Sequence, residues 1–200
     1  MTWRLALCAR RGALAWLAAA CLALAGCATP RPAGEPGQAA GADTLSRTGR
    51  FAVRVDEDGG RQDAVQGGFS WRDDGRRLIL DLVNPLGSTL ARVEAAGGVA
   101  TLRRSDGSIT QAPGADALVE DVLGSPIPVA GLRDWMRGRV AERPPASALA
   151  RDPQGRPASF LQGGWEVRLS RYDGQGPLLL SMERRDAGRR ITVRLVADPS

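Results

Sequence analysis

Apolar residues in this chain recur at every second position, in short runs separated by turn-forming pairs, and few folds accept that pattern. Phe51, Val53 and Val55 share one side of an extended segment, as do Val65, Gly67, Phe69 and Trp71, then Leu78, Leu80 and Leu82. Ala100 and Leu102 alternate with Val99, Thr101 and Arg103. The pattern returns late in the chain at Trp165, Val167 and Leu169, at Leu178, Leu180 and Met182, and at Ile191, Val193 and Leu195. Successive side chains of a strand point to opposite faces, so this spacing predicts sheet with one buried face. The separators are Asp58-Gly59, Asp74-Gly75, Gly97-Gly98, Asp106-Gly107, Asp173-Gly174 and Gly188, pairs that supply the positive φ of tight hairpins. The expected fold class is mainly β: an antiparallel meander of about ten strands, split into an earlier block and a shorter later one.

Between the blocks the period changes. Asp116 is placed to cap a helix whose stripe is Leu118, Val119, Val122 and Leu123, with Gly124 as its stop. Pro126 and Pro128 interrupt the chain, and Val129, Leu132, Trp135 and Met136 form a second stripe ending at Gly138. Two short amphipathic helices inserted in a meander are expected on the concave face of the sheet. Residues 141–154, with Pro144, Pro145 and Pro153, read as loop.

Composition narrows the chemistry. All 27 basic residues are arginine, and the 200 residues contain no histidine or lysine. A Ser-His-Asp or Cys-His pair, a histidine metal ligand and a lysine Schiff base are thereby excluded. Arg4, Arg10 and Arg11 stand in the first 26 residues, which hold no acid, so beyond them 24 arginines face 22 acids. That balance is not the basic, aromatic-interleaved footprint of a nucleic-acid binder. Asp56-Glu57-Asp58 lacks the later ligands of a calcium loop and reads as a charged hairpin end. The pairs Arg76-Arg77, Arg103-Arg104, Arg184-Arg185 and Arg189-Arg190 flank turns and read as solvated ends and edge protection. No catalytic or metal site is expected.

The N-terminus reads as an address. Three arginines precede an unbroken apolar run, Ala13 to Ala25, too short for the roughly 20 residues of a membrane span and of the right order for a secretory signal. It ends Leu24-Ala25-Gly26-Cys27, which looks like a bacterial lipobox. In lipoproteins of that type the chain is cut before the cysteine, whose thiol takes a diacylglycerol and whose amine is acylated. Cys8 and Cys21 would leave with residues 1–26, so Cys27 would be the one mature cysteine, with no disulfide partner. Residues 27–46 follow as lipidated cysteine and tether, rich in Ala, Gly and Pro and unable to bury a core. The single folded domain is expected over 47–197.

One segment breaks the usual rule for hairpin tips. Asn84-Pro85-Leu86-Gly87-Ser88-Thr89 carries turn chemistry around a leucine. On spacing alone, Leu86 either folds back onto the core or is held out toward lipid or an apolar partner.

This segment, with Gly49-Arg50-Phe51-Ala52-Val53, Gly68-Phe69-Ser70-Trp71, Pro126-Ile127-Pro128 and Leu132-Arg133-Asp134-Trp135-Met136-Arg137-Gly138, resembles the LolB family of outer-membrane lipoprotein receptors. The lipobox agrees with the resemblance, and residues 139–157 carry no landmark of it. The resemblance implies a curved antiparallel sheet forming an incomplete β-barrel, with short helices covering a hydrophobic cavity. It implies a protein lipid-anchored to the outer membrane and facing the periplasm. Such a protein accepts triacylated lipoproteins from the soluble periplasmic carrier LolA and inserts them into the inner leaflet. It further implies a projecting Leu86 between Pro85 and Gly87, serving membrane delivery. No cofactor is expected beyond the S-diacylglycerol and N-acyl groups of Cys27, and a monomer is expected. Phe51, Phe69, Trp71, Leu80, Leu118, Val122, Trp135 and Trp165 are the candidates for the acyl-chain cavity; for each, plain core packing is the alternative. Three chains of about 16 carbons expose about 45 methylenes, and at about 0.8 kcal/mol each an unescorted crossing of water is prohibitive. A passive scaffold lipoprotein and an enzyme using paired carboxylates are the competing readings.

Overall fold

The longest alternating run, Leu45–Glu57, forms strand β1 in the middle of one antiparallel sheet. In the computed structural model the described residues are 44–123 and 127–200, all within the unit Ala40–Ser200. After β1 come β2 (Gln62–Asp73), β3 (Arg77–Val83), β4 (Thr89–Ala96), β5 (Val99–Arg104) and β6 (Ile109–Ala112). Helices α1 (Ala115–Leu123) and α2 (Val129–Trp135) lead to β7 (Ser147–Arg151), β8 (Pro157–Gln162), β9 (Trp165–Tyr172), β10 (Pro177–Asp186) and β11 (Arg189–Ala197). The spatial order is β6-β5-β4-β3-β2-β1-β11-β10-β9-β8-β7. Two meanders are therefore joined along one seam, where β1 pairs with β11 from Gly49 opposite Ala197 to Glu57 opposite Arg189. The sheet does not close: β6 and β7 are its two edges.

Alternation becomes burial on the inward face. Phe51, Phe69, Trp71 and Leu78 from the first meander join Phe160, Val167, Leu180, Met182 and Val193 from the second in one apolar cluster. Helix α2 adds Val129, Leu132 and Trp135 to it. Leu118 of α1 belongs to a smaller cluster with Val93, Ala100 and Leu102 of β4 and β5. Five strand steps separate β2 from β8, about 24 Å along a flat sheet. Yet α2, seven residues long, bonds both strands through Arg133 and Trp135. The sheet wraps around the helix, as an incomplete barrel does.

Several expectations need correction. The described residues contain eleven strands against the expected ten or so. The additional one, β7, lies in the segment read as loop; all five of its residues are exposed, so no alternation marks it, and its pairing with β8 is irregular. Leu45 is buried and starts β1, so the sheet begins two residues before the expected start of the domain at 47. Asp116 does not cap α1 but lies in its first turn, and its Oδ1 accepts a hydrogen bond from the Ala130 N–H of α2 at 2.8 Å. Pro128 precedes α2 and offers no side-chain cap, so the carboxylate of one helix serves the other. Val65 has the inward phase of Phe69 and Trp71 but is 52% exposed, because β3 ends at Val83 opposite Gly68 and leaves the far end of β2 uncovered. Cys27 and residues 124–126 lie outside the described residues, as does the side chain of Val122.

Candidate functional site

The β3–β4 loop is built around one side chain. Asn84 Oδ1 accepts the N–H groups of Leu86 at 2.9 Å and Ser88 at 3.0 Å. The Asn84 carbonyl accepts Gly87 N–H, and Asn84 N–H itself donates to the Ser88 carbonyl, both at 2.9 Å. Pro85 has no N–H. Every backbone donor from residue 84 to 88 is thus satisfied inside the loop or absent. Gly87 takes φ +87°, a conformation a β-carbon resists. This framework settles the two readings of Leu86 left open by spacing: the side chain is 92% exposed and does not fold back.

Beneath the loop the strands approach closely. A β-carbon on Gly67 would lie 2.0 Å from the Val83 carbonyl oxygen, so only glycine lets the end of β3 cross here. A groove of about 510 Å³ opens beside this crossing, with Arg50, Gln66, Pro85 and Gly87 among its walls.

The apolar candidates gather on the inward face. Phe51, Phe69, Trp71, Trp135 and Trp165 are buried in the main cluster, and Leu118 in the smaller one. Leu80 is partly buried and touches both clusters. The ring of Trp135 meets Phe160 edge-on, with centroids 5.8 Å apart.

Sequence reasoning missed the polar groups that hold this interior together. Asp73, fully buried at the end of β2, receives Arg133 Nε at 3.0 Å and Arg137 at 2.6 Å, both from the α2 region. A second Arg137 nitrogen donates to the Asp73 carbonyl oxygen at 2.9 Å. Burial pushes the Asp73 carboxyl up, but the two guanidinium groups and the Gly75 N–H outweigh it and hold the carboxyl below its ordinary value. On the other meander, buried Gln162 accepts Trp135 Nε1 at 2.8 Å and donates to the carbonyls of Ala141 and Pro144 at 2.7 Å. Arg47 of β1, also buried, grips Asp173 of the β9–β10 turn with two bonds of 2.6 and 2.7 Å. All three inward polar residues stand in the apolar phase of their strands, the signal that could have found them.

The outer surface carries the remaining charge. Arg77 pairs with Glu94 at 2.5 Å, and Arg185 and Arg190 reach Glu183 at 3.4 and 3.3 Å. Asp56, Glu57 and Asp58 share a shallow pocket with Arg185, Arg189 and Arg190. Among the described residues no group of three or more His, Cys, Asp or Glu is arranged to hold a metal.

Residues 43–199 match the family model described as outer membrane lipoprotein LolB, a span covering nearly all of the described fold. The chain belongs to the LolB family. An outer-membrane lipoprotein LolB of Bordetella petrii is 61% identical over 181 residues, covering 90% of this chain and 89% of that one. The Bordetella pertussis protein of the same name is 55% identical over 174 residues, 86% and 85% of the two chains. That of Cupriavidus necator is 40% identical over 193 residues, 95% and 96%. Among solved structures, a LolA superfamily protein from Nitrosomonas europaea aligns with a TM-score of 0.40 at 11% identity, over 78% of this chain and 87% of that one. Membership makes this chain an outer-membrane lipoprotein that serves lipoprotein localisation, in a family of transport factors rather than enzymes.

Proposed function

We propose that this LolB-family protein accepts triacylated lipoproteins from a LolA-type periplasmic carrier and inserts them into the inner leaflet of the outer membrane. The observation that carries this reading is Leu86, an aliphatic side chain held out on a loop with no unsatisfied backbone donor. In hydrocarbon an unpaired N–H costs several kcal/mol. A loop whose backbone N–H groups are already bonded enters lipid without the penalty of unpaired donors, and its leucine gains about 2 kcal/mol on burial. The same loop in water exposes apolar surface for no folding benefit.

The rest of the molecule fits that work. The acyl groups of Cys27 hold the chain on the membrane. The inward face with Phe51, Phe69, Trp71, Leu80 and Trp165, together with Leu118 and Trp135 of the two helices packed on it, receives the hydrocarbon. Transfer then runs downhill without a nucleotide, provided this interior binds acyl chains better than the carrier does and the bilayer better still.

Leu86→Glu tests the reading in a transfer assay with the full acylated chain, a carrier-bound lipoprotein and outer membranes. Acceptance from the carrier should persist, while insertion falls by more than ten-fold. Loss of acceptance with normal insertion of preloaded cargo would sink the assignment.

A further inference from the structure

Most arginines on this surface meet an acid. Arg54 bonds Asp56, Arg92 bonds Asp81 and Arg168 bonds Glu166. Arg50 and Arg194 are exposed, and no hydrogen bond or ion pair engages either side chain among the described residues. Their positions are linked. Arg50 stands opposite Val196 and Ala52 opposite Arg194 on the β1–β11 seam, so the two arginines are diagonal neighbours on the outward face. Diagonal neighbours lie about 7–8 Å apart at the backbone, within reach of one shared anion for side chains this long. Two unneutralised guanidinium groups at that spacing repel each other until an anion sits between them.

Arg50 also lines the groove beside the Leu86 loop, together with Pro85 and Gly87. Among the described residues no carboxylate lines that groove. When Leu86 lies in hydrocarbon, the base of its loop stands at the level of the lipid phosphates, and Arg50 stands at that base. Guanidinium groups bind phosphate oxygens in pairs of parallel hydrogen bonds, which an ammonium does not reproduce. We propose that Arg50 and Arg194 form a phosphate-binding pair for phospholipid headgroups, seating the protein on the bilayer at the depth where Leu86 enters it. This inference rests on the membrane role of Leu86 proposed above. A bilayer, rather than an acidic protein, is the favoured occupant because the groove that Arg50 lines adjoins an exposed aliphatic loop whose backbone donors are all bonded.

The test uses the full chain acylated at Cys27, with Ser88→Cys carrying an environment-sensitive fluorophore. It is reconstituted into vesicles of phosphatidylcholine alone, or of phosphatidylcholine with about one third phosphatidylglycerol. The anionic lipid should raise the inserted-to-free ratio of the loop. Arg50→Ser and Arg194→Ser should each remove roughly five-fold of that gain, and the double variant nearly all of it. Arg76→Ser, an exposed arginine at the opposite end of β3, should leave it unchanged. An undiminished gain in the double variant, or none in the parent, overturns the proposal while insertion itself leaves the Leu86 reading standing. Insertion into neither vesicle removes both. If the double variant keeps the lipid gain but loses acceptance of cargo from the carrier, the pair is a protein-docking surface and the proposal is wrong.

Discussion

Asn84 does for the β3–β4 loop what a cap does for a helix: one side-chain oxygen satisfies two backbone donors. Asn84→Ala should cost about 1 kcal/mol of global stability. It should also speed amide exchange at Leu86 and Ser88 by at least ten-fold, read by hydrogen-exchange NMR. Unchanged exchange at those two amides would show that the loop is held by something else. The loop chemistry was legible in the sequence, since Asn-Pro and Gly mark a turn; the direction of Leu86 was not. Direction depends on which hydrogen bonds the loop closes, and no spacing rule counts those. Arg47, Asp73 and Gln162 were half legible. Each interrupts an apolar phase, visible at once, but their partners lie 126, 60 to 64 and 27 residues away in the chain. Only the strand order brings them together.

At the scale of elements, α2 is riveted and α1 is not. Arg133 and Trp135 of α2, with Arg137 just beyond its end, fasten it to both meanders, whereas among the described residues no ion pair ties α1 to the sheet. Asp73→Asn leaves two guanidinium groups without their counter-charge and should destabilise the protein by about 2–3 kcal/mol. Both arginines keep partial access to water, which holds the cost below that of a fully buried pair. Urea denaturation followed by tryptophan fluorescence measures it, and a loss below about 0.5 kcal/mol would show that the latch carries no weight. The pH dependence has a fixed sign. A carboxyl held below its ordinary value contributes stability above an unfolded pKa of about 4, which is lost as pH falls through the folded one. The difference in stability between the parent and Asp73→Asn should therefore be flat at neutral pH and shrink only below about pH 4. Helix stripes and strand alternation were readable for α2, β1 and β2. Strand β7 was not, because an edge strand exposed at every residue has no face to advertise.

For the whole molecule, the decisive contact is the seam between β1 and β11. Every other pairing joins strands adjacent in the chain, so each meander forms locally, while the seam joins residues about 140 positions apart. Nothing in the sequence pairs these two strands; alternation alone fits many orders. Gly49 marks how tight the seam is, since a β-carbon there would sit 2.2 Å from the Val196 carbonyl oxygen and 2.8 Å from Ala197 Cα. Gly49→Ala should cost about 2–4 kcal/mol. Amide protection should fail first along β1 and β11 rather than within either meander; uniform loss of protection would contradict this. The seam also has a mechanical side. The chain enters the fold at Leu45, at the start of a strand flanked by β2 along nearly its full length and by β11 from Gly49 onward. A pull applied at Leu45 along the strand axis runs parallel to β1. It loads both rows of hydrogen bonds in shear, many at once, instead of peeling them one by one. Force along that axis is resisted by many bonds together.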